Sequence, residues 1–154
     1  GWVSRDIIPR YTPIGESLGL WLKQQAEPDD LVAVTAAGAI PYFSELPTYD
    51  VLGLNDPHVR GRAAKRTGAW APGHNRYDLD ALMERRPRWI VWDFGVELNR
   101  RRLSTLRNYK GDPEELDYRR GLLARKDFQA NYEIDTRTPA VTQRAYTVFR
   151  RRAP

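Results

Sequence analysis

Apolar positions in the first third of the chain alternate between helical spacing and short β-branched runs. Thr12 and Pro13 predict a helix start, because a threonine side chain caps free N–H groups and proline suits the first helical turn. The apolar residues that follow share one helical face: Ile14, Leu18, Trp21 and Leu22. Residues Leu31–Val34 and Tyr49–Leu52 predict two buried strands, with a short helical turn over Gly38–Ser44 between them.

The middle of the chain repeats this alternation of helix and strand. Asp78 can cap a helix that ends at Arg86–Pro87, and Trp89–Trp92 then forms the clearest buried strand in the sequence. Asp112 caps a further helix, because proline and glutamate follow it in the first turn. We expect that helix to run to about Arg125.

Two further patterns complete the chain. A helix is predicted within Phe94–Lys110, ending near Asn108. Apolar and polar residues alternate over Tyr132–Thr136 and Arg144–Arg150, which predicts an antiparallel hairpin with one face in solvent. We therefore predict one α/β domain over residues 1–154, a layered sandwich with a small central parallel sheet, an antiparallel C-terminal edge hairpin and flanking helices.

Composition narrows the class of protein. The 154 residues are 41% apolar, which is enough for a hydrophobic core. The absence of cysteine removes disulfides, thiolate catalysis and cysteine-ligated metal sites, while it leaves the compartment open. The net charge of +5 comes from arginine clusters scattered over predicted helices and strand ends. We interpret them as solvated surface and expect no nucleic-acid partner, because such a partner favours one contiguous basic stripe.

Motifs for nucleotide and acyl chemistry are weak or missing. The turn after the first strand, Ala36–Pro41, has one glycine, which is too few for a dinucleotide fingerprint, and no Walker-type phosphate loop exists. Gly15, Ser17 and Gly19 have the spacing of a nucleophile elbow, yet they lie inside the first predicted helix instead of at a strand-to-helix turn. We interpret the two glycines as positions where this helix packs closely on the sheet.

A polar cluster follows the second predicted strand. Asn55, Asp56 and His58 lie in a turn, and His74, the other histidine of the chain, follows a Pro-Gly pair. If the two histidines converge at the strand ends, the cluster can bind a hydroxylated ligand. The alternative is that Asn55 and Asp56 cap the turn while the histidines anchor a long loop. With so few histidines and no paired carboxylates, we expect no catalytic residue, metal site or cofactor in this chain.

Four segments in order resemble a known family: Val32–Tyr42, Leu52–His58, Gly73–His74 and Glu84–Pro87 before a hydrophobic strand. Together they resemble the soluble C-terminal domain of bacterial multi-membrane-spanning C-type glycosyltransferases. These enzymes are related to protein mannosyltransferases and to the arabinofuranosyltransferases of cell-wall synthesis. The resemblance extends from about Thr12 to Trp92.

The resemblance implies a domain on the extracytoplasmic (periplasmic) side of the bacterial cell membrane, after a bundle of transmembrane helices. Residues 1–10 are then a linker from the last of those helices, and Trp2 suits a membrane interface. It also implies a polyprenyl-phosphate-linked sugar donor and a catalytic carboxylate outside this chain. The implied partners are the protein's own transmembrane region, a polysaccharide acceptor and the lipid-linked sugar.

Two functions from different classes follow. The first is an accessory domain of a membrane glycosyltransferase that positions or covers the acceptor glycan in cell-envelope polysaccharide synthesis. The alternative is a stand-alone α/β binding protein for a phosphorylated or nucleotide ligand, which the strand-to-turn junction and the arginines favour. An independent soluble enzyme ranks last, because the chain is short of histidines, cysteines and paired carboxylates.

Overall fold

The computed structural model describes residues 12–35, 38–51, 78–92 and 117–153. The helices in these ranges are α1 (Thr12–Gln25), α2 (Ala39–Ser44), α3 (Leu79–Arg85), α4 (Asp117–Ala124) and α5 (Lys126–Asn131). The strands are β1 (Val32–Val34), β2 (Thr48–Asp50), β3 (Trp89–Trp92), β4 (Tyr132–Ile134) and β5 (Thr147–Arg151), and a 3₁₀ turn covers Thr142–Arg144.

The strands form one five-stranded mixed sheet with the order β2-β1-β3-β5-β4. Strand β1 runs parallel to both neighbours, so Ala33 pairs with Tyr49 on one side and Ile90 on the other. Strand β5 runs antiparallel to β3 and to β4, with Phe149 opposite both Ile90 and Ile134. This arrangement confirms the predicted α/β class, with its parallel centre, C-terminal antiparallel hairpin and flanking helices.

Two hydrophobic clusters cover the two faces of the sheet. Alternation along β1 sends Val32 and Val34 to the face that holds α1 and α2, and Ala33 to the opposite face with α3, α4 and α5. The buried helical residues on the first face are Leu18, Leu22 and Ile40, and those on the second are Leu82, Leu122, Leu123 and Phe128. The sheet is therefore the middle layer of three.

The C-terminal hairpin differs from its prediction in solvent exposure. We predicted one solvated face, but the first three residues of β5, Thr147–Phe149, are all buried. Val148 belongs to the cluster under α1 and α2, whereas Phe149 belongs to the cluster under the other helices. The prediction was wrong because β5 lies between β3 and β4, where both faces of the sheet are covered.

The glycines of α1 also act differently from their prediction. A Cβ atom on Gly15 would lie 2.8 Å from the Cβ of Ala39, and one on Gly19 would lie 2.8 Å from the Cβ of Phe43. Both contacts are with α2 instead of the sheet. The two glycines therefore permit the close approach of α1 to α2, and the nucleophile-elbow spacing around Ser17 lies within a helix, as expected.

The Asp78 side chain caps α3, as predicted, by accepting from the Ala81 amide at 2.9 Å. Helix α1 runs from Thr12 to Gln25, so it includes Thr12, which we predicted as the residue before the helix. The last turn before Arg125 is also helical, as predicted, although the start of that helix lies outside the described residues. The same is true of the helix predicted within Phe94–Lys110.

Candidate functional site

The carboxyl ends of the parallel strands β1, β2 and β3 meet at one edge of the sheet, here called the carboxyl edge. Val34, the last residue of β1, pairs with Asp50 on one side and Val91 on the other. The Val51 amide donates to the Val34 carbonyl at 2.9 Å, which extends the pairing one residue beyond β2. Open α/β sheets bind ligands in the crevice at this edge, so we expect a ligand site there.

Buried polar side chains are concentrated along this edge. Thr35 follows β1, Asp50 ends β2, and Thr147 at the start of β5 lies opposite Trp92 of β3. These three side chains belong to residues with exposed fractions of 7%, 8% and 0%. Buried hydroxyl and carboxylate groups require hydrogen-bonding or charged partners, and their position makes the carboxyl edge polar.

Gly38 shapes the junction between β1 and α2. Its backbone has φ 136° and ψ −120°, a conformation that side-chain-bearing residues rarely adopt. A Cβ atom there would meet no described residue within 4 Å, and the backbone conformation is what requires glycine. The junction thus has one conformationally required glycine and leads into a helix of six residues.

The predicted polar cluster follows β2 in the sequence. Asn55, Asp56, His58 and His74 lie outside the described residues, so their convergence stays a prediction. The structure does describe the strand from which the cluster follows, because β2 ends at Asp50 and Val51 still pairs with β1. If the cluster lies at this edge, its amide, carboxylate and imidazole groups can exchange hydrogen bonds with a hydroxylated ligand.

Asp50 is the polar residue of this edge that sequence reasoning missed. The run Tyr49–Leu52 was interpreted as an apolar strand, and its acidic residue received no role. The signal was present, because aspartate is depleted in strands and a buried carboxylate requires a partner. A carboxylate in such a run indicates either a structural ion pair or a place at the ligand-binding edge.

The described ranges contain neither a metal-binding group of side chains nor a membrane-spanning helix. No group of three or more histidine, cysteine, aspartate or glutamate side chains is arranged there to hold a metal ion. None of the helices in the described part of the chain is long and apolar enough to cross a bilayer.

Fold and edge together define a mixed α/β domain with a parallel centre and a polar carboxyl edge. The chain belongs to the family described as Domain of unknown function (DUF8728), whose model matches residues 7–149. Comparison with curated proteins and comparison with solved structures each gave no match. Its function must therefore be argued from its own residues.

Proposed function

We propose that this chain is an accessory domain of a membrane glycosyltransferase that uses a polyprenyl-phosphate-linked sugar donor. In this proposal the domain lies on the extracytoplasmic side of the bacterial membrane. It positions or covers the acceptor glycan during cell-envelope polysaccharide synthesis. The resemblance of four ordered segments to C-type glycosyltransferases is the source of the proposal, and the polar carboxyl edge supports it.

The proposal rests on the position at which β2 ends. Val51 is hydrogen-bonded to Val34 at the carboxyl edge, and Asn55 follows only four residues later. A four-residue extension spans at most about 14 Å, so Asn55 stays within reach of the edge that buries Thr35 and Asp50. In the proposal, the Asn55 amide, the Asp56 carboxylate and the His58 imidazole bind the hydroxyl groups of a glycan at this edge.

The proposed role is binding and positioning, without a chemical step on this chain. The resemblance implies that the catalytic carboxylate belongs to a loop between membrane helices. Asn55, Asp56, His58 and His74 then orient the acceptor by hydrogen bonds, and the α/β layers supply a rigid support for them.

Titration of the 154-residue chain with mannose and arabinose oligosaccharides tests the binding role, with backbone amide NMR signals as the readout. We expect saturable shifts at Thr35, Asp50 and Val51, which Asn55→Ala and His58→Ala weaken. Gln25→Ala is the matched control, because this exposed residue ends α1 just before the chain enters β1 from the opposite edge. Absence of saturable shifts with either sugar class contradicts the binding role and leaves only a covering role.

A second candidate is a stand-alone α/β binding protein for a phosphorylated or nucleotide ligand. The observation that favours it is the strand-to-helix junction with a positive φ at Gly38, the position at which nucleotide-binding sheets approach phosphates. Thermal unfolding against a panel of nucleotides distinguishes the two functions. A melting temperature raised by one nucleotide and unmoved by oligosaccharides favours this candidate, whereas a flat response contradicts it.

The reading frame upstream of the codon for Gly1 provides an independent test of the first proposal. We expect it to encode a series of hydrophobic segments, each about 20 residues long, as membrane helices require. A start codon close to Gly1 with no such segment contradicts the membrane-enzyme function and favours the stand-alone binding protein.

A further inference from the structure

A cavity of about 180 Å³ opens at the amino edge of the parallel strands, opposite to the carboxyl edge. At this amino edge the Arg88 amide donates to the Leu31 carbonyl at 2.9 Å, just before β3 begins. The cavity is lined by the ends of α3, α5 and β5 and the start of β4, through Met83, Arg86, Asp127, Asn131, Tyr132 and Arg151.

Positive charge converges on the buried wall of this cavity. Arg86, Arg88 and Arg151 all act electrostatically on the Tyr132 phenol, and Arg151 also hydrogen-bonds to it. Burial nevertheless raises the pKa of Tyr132 to about 12. The phenol therefore stays neutral at physiological pH, donates to the Pro87 carbonyl at 2.5 Å, and offsets none of the arginine charge.

Asp127 is the carboxylate among the described lining residues, and it is already paired. Arg125 donates from Nε to one Asp127 oxygen at 3.0 Å and from Nη2 to the other at 2.9 Å. These hydrogen bonds lower the pKa of Asp127, so it is ionised and held by its own arginine. The described lining therefore holds two arginines, Arg86 and Arg151, and one carboxylate, which is already paired with Arg125.

Main-chain carbonyls accept from two of these guanidinium groups, those of Arg88 and Arg151. Arg88 Nη1 donates to the Arg151 carbonyl, and Arg151 Nη1 donates to the Arg86 carbonyl. A guanidinium carries five N–H donors, so Arg151, which lines the cavity, retains donors for a ligand. The exposed Arg86 side chain makes no hydrogen bond or ion pair within the described ranges. No contact within the described ranges therefore competes with a ligand for the Arg86 guanidinium.

We propose that this cavity binds a phosphoryl group, carried by a soluble phosphorylated molecule or by a lipid headgroup. Arginine forks match phosphate oxygens in bidentate fashion, and two such forks line the same small space. A volume of about 180 Å³ accepts a phosphoryl group while the rest of the ligand stays in solvent. The inference does not depend on the proposed function, because it uses the opposite edge of the sheet.

Titration with inorganic phosphate against sodium chloride at equal ionic strength tests the proposal. Backbone amide NMR signals of Tyr132, Arg151 and Arg152 should shift saturably with phosphate alone. Arg86→Gly should raise the Kd about tenfold, the loss expected for about 1.4 kcal/mol of contact energy. Glycine suits the left-handed backbone at this position, φ 47°, so the variant keeps its fold.

The matched control is Arg144→Ala, which removes an exposed arginine from the 3₁₀ turn that contacts α1 on the other face of the sheet. It removes the same net charge as Arg86→Gly and should leave the Kd for phosphate unchanged. Shifts no larger than those with chloride, or an equal Kd for wild type and Arg86→Gly, would overturn the proposal.

Co-sedimentation with vesicles separates the two sources of the phosphoryl group. Binding to phosphatidylglycerol vesicles but not to phosphatidylcholine vesicles, lost in Arg86→Gly and kept in Arg144→Ala, identifies a lipid headgroup. Phosphate binding that depends on Arg86 without binding to either vesicle identifies a soluble phosphorylated ligand.

Discussion

Burial and neighbouring charges shift the pKa of Asp135 in opposite directions. Its side chain is 1% exposed, and it accepts hydrogen bonds from Arg137 Nε at 3.0 Å, Arg137 Nη2 at 2.7 Å and the Arg137 amide at 3.0 Å. Burial raises the pKa of Asp135, but these hydrogen bonds and the charges of Arg137 and Arg150 lower it by more. The net result is a pKa below the usual 3.8, which makes the ionised form part of the native state.

We predict that Asp135→Asn lowers the free energy of unfolding at pH 7 by about 1.5–3 kcal/mol, the usual worth of hydrogen bonds to a charged group. Because the folded pKa lies below the unfolded one, this contribution is full above about pH 4 and disappears as pH falls through the folded pKa. Urea unfolding from pH 7 to pH 2 should therefore show the two proteins converging in acid.

Asp80→Asn is the control for this measurement. Asp80 also pairs with an arginine, Arg125 at 2.6 Å, but its side chain is 77% exposed. Exposed ion pairs contribute at most about 1 kcal/mol, so we expect a small effect. A difference between Asp135→Asn and wild type that stays constant down to pH 2 contradicts the assigned role of the carboxylate.

At the level of elements, the packing of α1 on α2 depends on the absence of side chains. A Cβ atom on Gly19 would lie 2.8 Å from the Cβ of Phe43, 3.1 Å from the Ile40 carbonyl oxygen and 3.2 Å from the Ser44 nitrogen. Two of these three atoms are main-chain atoms, which a side-chain rotation cannot move away. The two helices would have to separate to admit a methyl group.

Gly19→Ala should therefore destabilise the protein by about 1–3 kcal/mol, the usual cost of overpacking, despite the higher helix propensity of alanine. Gly121→Ala is its matched control within α4. Among the described residues, a Cβ there would meet the Cδ1 atom of Leu79 at 2.8 Å, the end of a flexible side chain. We expect it to change stability little or to raise it by up to about 1 kcal/mol. Urea unfolding of both variants provides the measurement, and equal effects contradict the close-packing argument.

Features that depend on neighbouring residues were predictable from the sequence. The Asp78 cap and the strand Trp89–Trp92 were predicted correctly, because a capping side chain acts three residues away and a fully apolar run is buried in almost any sheet. The hairpin pairing of β4 with β5 also follows local alternation.

Features that depend on distant parts of the chain were not predictable in the same way. Helix α5, Lys126–Asn131, was missed because it is short and buries one aromatic residue, Phe128, against Tyr132 and Phe149. Arg86 and Arg151, which line the cavity, belong to arginine clusters that the sequence predicts as scattered surface, because the two residues lie far apart in the chain. Only the strand order brings them together.

At the level of the whole molecule, β3 joins the two hydrophobic layers. It pairs with β1 on one side and β5 on the other, and its residues alternate between the two clusters. Trp89 and Val91 face the side of α1 and α2, while Ile90 and Trp92 face the other helices. Neither layer can open without exposing the strand that both of them cover.

This arrangement predicts a gradient of amide hydrogen exchange across the sheet. The amides of Ile90 and Val91, both at most 1% exposed in a strand with two partners, should exchange only through global unfolding. Their exchange free energy should equal the free energy of unfolding in urea. The amides of β2 and β4, which lie at the two edges of the described sheet, should exchange through smaller local openings. Exchange measured in increasing urea should show this difference, and edge amides as slow as those of β3 would mean that the described edges are covered in solution.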